Sequence, residues 1–225
     1  MATTFTVGSQ TIPANRIFCV GKNYREHIKE LEGDVPDQPV IFMKPVSCLV
    51  PAGEKIHLPL HGASLHHEVE LVILIGRGGK HIAEAEALSH VAGVTLGLDL
   101  TLRDVQSALK KKGHPWELSK AFDESAPIGI FVPMEKLEDI ASVAFTCEVN
   151  GVLRQAGHSG GMIFPVARII HFLSGIWKLQ PGDLIFTGTP AGVGELHGGD
   201  RVTISSVPIG EFSWEISSSA PLDPV

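Results

Sequence analysis

The stretch HHEVELVILIG, residues 66–76, places two glutamates directly before a continuous apolar run. Glu68 and Glu70 alternate with Val69 and Leu71, and the chain then continues as VILIG. Apolar runs of this length, rich in Val and Ile, are typical of strands buried inside a sheet. Side chains two residues apart on a strand project to the same face, so both carboxylates are directed towards one place. The segment predicts a buried strand that begins with two acidic side chains.

Further short apolar runs occur along the chain, punctuated by 15 prolines and 24 glycines. Runs of this kind predict strands, and here they do not alternate regularly with helices. The predicted strands are RIFCVG (16–21), PVIFMK (39–44), EVELVILIG (68–76), VAGVTLGLDLT (91–101), VAFTCEVNG (143–151), DLIFTG (183–188) and DRVTISS (200–206). This arrangement indicates a β-rich α+β fold with a few short helices.

Three segments have the apolar spacing of short amphipathic helices. They are NYREHIKELEG (23–33), LRDVQSALKKK (102–112) and PVARIIHFLSG (165–175). Thr101 is the predicted N-cap of the second helix, and the lysines at 110–112 complement the negative end of its dipole. The glycine-rich segment 188–200 lacks the GK[ST] ending of a phosphate loop, so we interpret it as a tight turn between two strands.

Composition excludes several classes of protein. The net charge of −7 argues against nucleic acid as a partner, because a phosphate backbone favours a basic surface. The 3 cysteines are widely spaced and contain no CxxC pair, which is typical of a reducing compartment. No signal peptide is recognised at the N-terminus, and no apolar run approaches the roughly 20 residues that cross a bilayer. We therefore expect a cytoplasmic protein without membrane contact.

A third carboxylate, Asp99, lies near the end of the predicted strand at 91–101, just before the second helix. Together with Glu68 and Glu70 it would provide three oxygen donors and no sulfur. Such a set suits Mg²⁺ or Mn²⁺, with Ca²⁺ as a further candidate. The alternative is that the two glutamates lie on a solvated face at the strand end.

His27 and Glu30 lie three residues apart on the first predicted helix, where their side chains are neighbours. A carboxylate at this spacing can orient an imidazole and raise its basicity, so the pair could activate water. A surface ion pair is the alternative. His66 is in phase with Glu68 on the predicted strand and is a candidate partner for it.

Six motifs in the chain are similar, in the same order, to those of the fumarylacetoacetate hydrolase family. They are VGKNYREHIKE (20–30), FMKP (42–45), HHEVEL (66–71), LDLTLRDVQ (98–106), PWELSKAFD (115–123) and TGTPAGVG (187–194). The sequence most resembles the short, single-domain members of the acylpyruvase and oxaloacetate decarboxylase type. This resemblance implies a mixed β-sandwich or roll, a homodimer, an N-terminal extension at 1–15 and a catalytic domain at 16–216. The last segment, SSSAPLDPV (217–225), is expected from its own sequence to be a flexible tail.

The resemblance also implies roles for individual residues. It implies that Mg²⁺ or Mn²⁺ is held by Glu68, Glu70 and Asp99. It implies catalytic roles for His27, Glu30 and Lys120. It implies that the substrate is bound by Lys22, Lys44, Arg103, Gln106 and Thr189. Two departures stand out: Lys22 replaces an arginine that is common in relatives, and the chain lacks the extra acidic metal ligand and N-terminal domain of the longer fumarylacetoacetases.

The implied activity is hydrolysis of a C–C bond in acylpyruvates, such as fumarylpyruvate or acetylpyruvate, through a metal-bound pyruvate enolate. Decarboxylation of oxaloacetate, or decarboxylation and isomerisation of a diacid from aromatic degradation, would reach a similar enolate without an attacking water. A third alternative is a metal- or ligand-binding protein without catalytic activity. The sequence leaves the native acyl group and the choice among these reactions open.

Overall fold

Short strands provide most of the regular structure, as the punctuated apolar runs predict. The computed structural model describes residues 3–218, so the predicted flexible tail lies outside the described residues from position 219 onwards. The strands in the described part are β1 (Thr4–Val7), β2 (Gln10–Pro13), β3 (Ile17–Gly21), β4 (Val40–Lys44), β5 (Leu49–Pro51), β6 (Lys55–His57), β7 (Leu65–His67), β8 (Val69–Ile75), β9 (Val91–Leu98), β10 (Thr101–Leu102), β11 (Ala126–Ile128), β12 (Val132–Pro133), β13 (Ala144–Val149), β14 (Val152–His158), β15 (Leu184–Phe186), β16 (Gly194–Glu195), β17 (Arg201–Ser206) and β18 (Gly210–Ser217).

Helices are few and short. The α-helices of the described residues are α1 (Arg25–Glu30), α2 (Arg103–Lys112), α3 (Glu117–Lys120) and α4 (Val166–Ile176). Short 3-10 helices occur at Val46–Cys48, Glu84–His90, Met134–Lys136, Ile140–Ser142 and Ser159–Gly161. Each predicted helix therefore has a counterpart in α1, α2 or α4, whereas α3 was not predicted because a single turn carries no apolar period.

The strands assemble into mixed sheets. The largest sheet has the order β4-β3-β15-β8-β9-β11-β5, with β12 paired to β9, and a second sheet has the order β14-β13-β17-β18-β6. A small sheet, β10-β7-β16, and the hairpin β1-β2 complete the described pairings. The pairs β3/β15, β5/β11 and β6/β18 are parallel, and the others are antiparallel. The predicted β-rich, mixed fold is confirmed.

Strand β8 is buried on both faces, which explains its continuous apolar sequence. Val69 and Leu71 belong to the main core, which also contains side chains from the second sheet. Val72 and Leu74 point to the opposite face and belong to a second cluster. The N-terminal hairpin contributes to that second cluster, for example through Phe5. Residues before position 16 therefore cover one face of the largest sheet.

Two local predictions were wrong. Helix α2 begins at Arg103 with Leu102 as its N-cap, whereas the Thr101 hydroxyl donates to the backbone oxygen of Asp99 at 3.0 Å. Thr101 cannot cap the helix because it belongs to β10, where it pairs with His66 of β7. The segment 188–200 is not a tight turn, because the strands that it connects, β15 and β17, lie in different sheets. Part of it forms β16, which pairs with β7.

The sequence predicts no membrane-spanning segment, and the lengths of the helices bear on this prediction. Among residues 3–218, no helix has both the length and the apolar character needed to cross a bilayer. The longest α-helix in the described part of the chain, α4, has 11 residues.

Replacing Leu71 by Ala should destabilise the protein strongly, because Leu71 is fully buried at the centre of the main core. We expect a loss of about 2–5 kcal/mol in the free energy of unfolding, measured by denaturant titration. Leu60→Ala is a matched control, since Leu60 is 65% exposed and its truncation should change stability by less than about 0.5 kcal/mol. Equal losses in the two variants would contradict this account of the core.

Candidate active site

The three acidic residues meet where β8 and β9 lie side by side. Strand β8 begins at Val69, so Glu68 precedes the strand, which differs from the sequence prediction that placed both glutamates on it. The Asp99 amide donates to the backbone oxygen of Glu68 at 2.8 Å, and this bond extends the β8/β9 pairing. Glu70 occupies the second position of β8. The pairing therefore brings Asp99 beside two residues that lie about thirty positions earlier in the chain.

The carboxylates of Glu68, Glu70 and Asp99 form one buried cluster. Each offers an oxygen, and these oxygens lie within 4.8 Å of one another. The three residues are only 4%, 2% and 1% exposed. The alternative of a solvated strand end is therefore wrong. Three like charges at this spacing and burial need positive charge close by, because water cannot screen them.

Cationic side chains supply part of that charge. Lys120, at the end of α3, donates to Glu68 at 2.8 Å and also pairs with Asp99. Arg103, at the start of α2, pairs with the other oxygen of Glu68. Burial alone would raise the pKa of Glu68, but Lys120 and Arg103 hold it well below its usual range. Glu68 is thus an anion with two cationic partners.

Lys44 supports Asp99 from the protein interior. Its ammonium nitrogen lies 2.9 Å from Asp99 Oδ1, and it donates to the backbone oxygen of Ser125 at 3.0 Å. It also donates to the backbone oxygen of Lys120. Lys44 is 2% exposed, and the described residues that line the cavity above the carboxylates do not include it. The structure therefore does not bring Lys44 to a position where it faces a substrate.

Glu70 differs from the other two carboxylates in having no cationic partner among the described residues. Within residues 3–218, no lysine, arginine or histidine nitrogen lies within 4 Å of its oxygens, and the Gly188 amide donates to it at 2.7 Å. Burial and the neighbouring Asp99 raise the pKa of Glu70 well above its usual value. A divalent cation would provide the missing positive charge, and an all-oxygen donor set suits Mg²⁺ or Mn²⁺. The cluster therefore fits a hard metal ion.

His27 and Glu30 form a pair on α1. His27 Nδ1 lies 3.2 Å from Glu30 Oε2, and the Gly192 amide donates to Glu30 Oε1 at 3.1 Å. The His27 side chain is 7% exposed, so the alternative of a solvent-exposed ion pair does not describe it. Because Glu30 occupies Nδ1, Nε2 is the ring nitrogen left to act in the cavity.

One cavity joins these groups. Glu30 and Lys44 are the predicted site residues that do not line it. The others line it together with the three carboxylates: Lys22, His27, Arg103, Gln106, Lys120 and Thr189. On its α2 side, Arg103 Nη1 donates to Gln106 Oε1 at 2.7 Å, which fixes both side chains. Thr189 lines the cavity while its hydroxyl donates to the backbone oxygen of Val69 at 2.9 Å. The cavity thus combines an acidic floor with basic and amide walls.

The sequence did not predict several residues that line the cavity, and two aromatic side chains and a lysine among them bear on its chemistry. Phe42, Lys110 and Trp116 line the cavity. Lys110 was interpreted as a helix-dipole residue only, although the motif PWELSKAFD starts nearby and contains Trp116. The i, i+4 spacing of Gln106 and Lys110 on one helix face was the available signal, since such residues are neighbours.

Gln155 is a further buried residue that the sequence did not predict. Its Oε1 accepts from the Val69 amide at 3.0 Å and lies 2.9 Å from His67 Nδ1. Its amide nitrogen donates to Thr189 Oγ1 and to the backbone oxygen of Pro190, each at 2.8 Å. Gln155 therefore fastens the 187–192 segment, whose amides contact Glu70 and Glu30, to the start of β8.

The histidines before the glutamates have structural contacts. His66 Nε2 lies 3.0 Å from Ser64 Oγ rather than against Glu68, so the predicted partnership with Glu68 is not observed. The break between β7 and β8 at Glu68 explains this, because it interrupts the alternation on which the prediction depended. His67 is buried against Gln155, as described above.

Comparisons with known proteins agree with the geometry. The family model described as fumarylacetoacetate (FAA) hydrolase C-terminal matches residues 16–216. A mitochondrial oxaloacetate tautomerase of Rattus norvegicus is 47% identical over 186 residues, which cover 83% of this chain and 84% of the relative. A mitochondrial oxaloacetate decarboxylase of Dictyostelium discoideum is 44% identical over 188 residues, covering 83% and 86%. Fumarylpyruvate hydrolase from Pseudomonas aeruginosa, solved with Mn²⁺ and pyruvate, is 38% identical, with a TM-score of 0.92 and 97% of each chain covered.

Replacing Glu70 by Gln should remove metal binding without removing the hydrogen bond from Gly188, because the amide oxygen can still accept it. We expect Mn²⁺ at a hundredfold excess over its Kd to raise the Tm of the unmodified protein by roughly 5–10 °C. The variant should lose most of that rise, measured by thermal unfolding with Mn²⁺ and with EDTA. Glu211→Gln, at an exposed position of β18, is the control and should keep it. A full rise in Glu70→Gln would contradict the assignment.

Proposed function

Because the chain belongs to the fumarylacetoacetate hydrolase family, we propose that it is a divalent-metal-dependent enzyme that cleaves a C–C bond in acylpyruvates. These are 2,4-diketo acids such as fumarylpyruvate or acetylpyruvate. The observation that carries the proposal is the cavity that contains three converging carboxylates together with His27. A binding protein would need the carboxylates but not a buried histidine held by Glu30.

In this proposal Glu68, Glu70 and Asp99 hold Mg²⁺ or Mn²⁺. When bound, the ion supplies Lewis-acid chemistry, polarising the keto oxygen of a chelating α-keto acid. The protein's contribution is to bury these ligands and to balance their charge through Lys120 and Lys44. Because Glu70 lacks a cationic partner among the described residues, it is the ligand whose environment changes most when the ion binds.

His27 acts as the general base. With Nδ1 engaged by Glu30, Nε2 accepts a proton from water, and the water oxygen attacks the distal carbonyl carbon. The bond between that carbon and the pyruvyl methylene breaks, and its electron pair leaves with the pyruvyl fragment. The proton on His27 returns to the methylene carbon, which gives a carboxylic acid and pyruvate.

Arg103, Gln106 and Lys120 stabilise negative charge on the substrate. All three line the cavity, and Arg103 and Gln106 are fixed by their mutual hydrogen bond. Donors held in place before the reaction stabilise a developing oxyanion without reorganisation. Burial opposes the charged form of Lys120, but Asp99 and Glu68 together raise the pKa of its ammonium, which therefore stays charged in the interior.

Reaction at oxaloacetate is the second candidate. Relatives at 47% and 44% identity are an oxaloacetate tautomerase and an oxaloacetate decarboxylase, respectively. Decarboxylation transfers the electron pair of the C–C bond to the same pyruvyl fragment but needs no attacking water. His27 would then be dispensable for bond cleavage, which separates the two reactions experimentally.

The assembly and cellular location belong to the same proposal. We expect a homodimer in the cytoplasm, using Mg²⁺ or Mn²⁺. The three cysteines are buried and unpaired, which is consistent with a reducing compartment. Light scattering coupled to gel filtration measures the oligomeric state directly.

The test of the function is a substrate panel. Protein treated with EDTA is assayed on fumarylpyruvate, acetylpyruvate and oxaloacetate, before and after Mn²⁺ or Mg²⁺ is added back. We expect no turnover without metal and the highest kcat/KM on an acylpyruvate. A protein that turns over none of these compounds with either metal would refute the proposed function, and a preference for oxaloacetate would favour the second candidate.

Replacing His27 by Ala should lower kcat on acylpyruvates by roughly 10²–10⁴-fold, the usual contribution of a general base. Mn²⁺ affinity should stay near normal, since His27 is not among the three carboxylate ligands. The measurements are steady-state kinetics and calorimetric titration of Mn²⁺. His197→Ala, at an exposed position, is the control and should retain full activity. Unchanged turnover in His27→Ala would exclude His27 as the base.

A further inference from the structure

Two lysines of the cavity wall, Lys22 and Lys110, differ from the cations deeper in the site. Arg103 and Lys120 each have an anionic partner in the protein, since both pair with Glu68. Within the described residues, no carboxylate oxygen lies within 4 Å of the ammonium of Lys22 or Lys110, and the Lys22 nitrogen lies 3.3 Å from a backbone oxygen. The outer part of the cavity therefore carries positive charge that no carboxylate of residues 3–218 pairs with.

The position of Lys110 follows from a series of contacts that leads away from the carboxylates. Lys120, which pairs with Glu68, lies over the Phe42 ring with 5.0 Å between its nitrogen and the ring centroid. The Phe42 and Trp116 ring centroids are 5.9 Å apart. The Lys110 nitrogen lies 5.4 Å from the Trp116 centroid. Lys110 thus stands at the far end of an aromatic wall that begins at the metal ligands.

Lys22 has an unusual backbone conformation, and Lys110 has a shifted pKa. Lys22 has a φ of 58°, in the left-handed region that side-chain-bearing residues adopt at an energetic cost. Burial, and then the nearby Arg103 and Lys120 cations, lower the pKa of Lys110. An anion beside Lys110 would offset the repulsion from these two cations.

We propose that Lys110, assisted by Lys22, binds a carboxylate at the distal end of the substrate and so selects diketo acids that carry a terminal carboxylate over those that end in an alkyl group. This inference rests on the proposed function and specifies its substrate class. The keto acid end of the substrate occupies the carboxylate-lined floor. Its acyl chain lies along Phe42 and Trp116, and its terminal carboxylate meets the two ammonium groups.

A helix-dipole role alone does not explain Lys110. Lys111 and Lys112 share the last turn of α2 and would complement its dipole equally well. Of these three lysines, Lys110 is the one that lines the cavity. This difference provides a matched control within the same turn of helix.

The experiment compares Lys110→Glu with Lys112→Glu on two substrates, each with Mn²⁺ present. Fumarylpyruvate ends in a carboxylate, and acetylpyruvate ends in a methyl group. We expect Lys110→Glu to lower the ratio of kcat/KM for fumarylpyruvate to that for acetylpyruvate by about tenfold, mainly through KM, because attraction is replaced by repulsion. Lys112→Glu should leave the ratio within about twofold. Lys110→Met and Lys22→Met should each give a smaller decrease, of about threefold.

The two substrates separate the failure of this inference from that of the proposed function. An unchanged ratio in Lys110→Glu, with both substrates turned over, would overturn the inference and leave the proposed function intact. An equal loss on both substrates, or an equal change in Lys112→Glu, would also overturn it. If the unmodified protein turned over neither substrate, both the proposed function and this inference would fall.

Discussion

The burial of three carboxylates within 4.8 Å of one another is the constraint on which the rest of the site depends. Like charges at that separation repel strongly where water is excluded, so the fold must surround them with positive charge. Lys44 and Lys120 approach Asp99 from two sides, and Arg103 joins Lys120 at Glu68. Glu70 has no cationic partner in the described part of the chain and accepts a hydrogen bond from the Gly188 amide. The negative charge is therefore compensated least at Glu70, and a divalent cation would stabilise the cluster most strongly there.

The scaffold achieves this by pairing strands that are distant in sequence. The β8/β9 ladder places Asp99 beside Glu68, and the neighbouring β15 leads into the segment that supplies Gly188. Gln155, fully buried on β14, ties the same segment to the start of β8 through its amide group. Because that segment also contacts Glu30 through Gly192, the buried carboxylates and the His27–Glu30 pair share one support. Displacement of this segment would affect both.

The distribution of charge along the cavity connects the fold to the chemistry. Its floor is acidic and suited to a metal, and its middle holds Arg103 and Lys120 against that floor. Its outer part presents Lys110, which pairs with no carboxylate among residues 3–218. Such an order is complementary to a substrate that chelates metal at one end and is anionic along its length. Hydrolysis of acylpyruvates and decarboxylation of oxaloacetate both generate negative charge at the chelating end, so one site can serve either reaction.

Local patterns in the sequence were enough for the β-rich fold, the helices α1, α2 and α4 and the acidic trio, because apolar periodicity and motif order are properties of neighbouring residues. The same patterns failed for β14, whose sequence VLRQAGH is held in place by pairing with β13, and for the segment 188–200, which crosses between sheets. They also missed Gln155 and the position of Lys110 in the cavity wall. The substrate-binding role predicted for Lys44 is not favoured by its buried position. These features depend on which distant residues come into contact, and such contacts are formed only when the sheets pack.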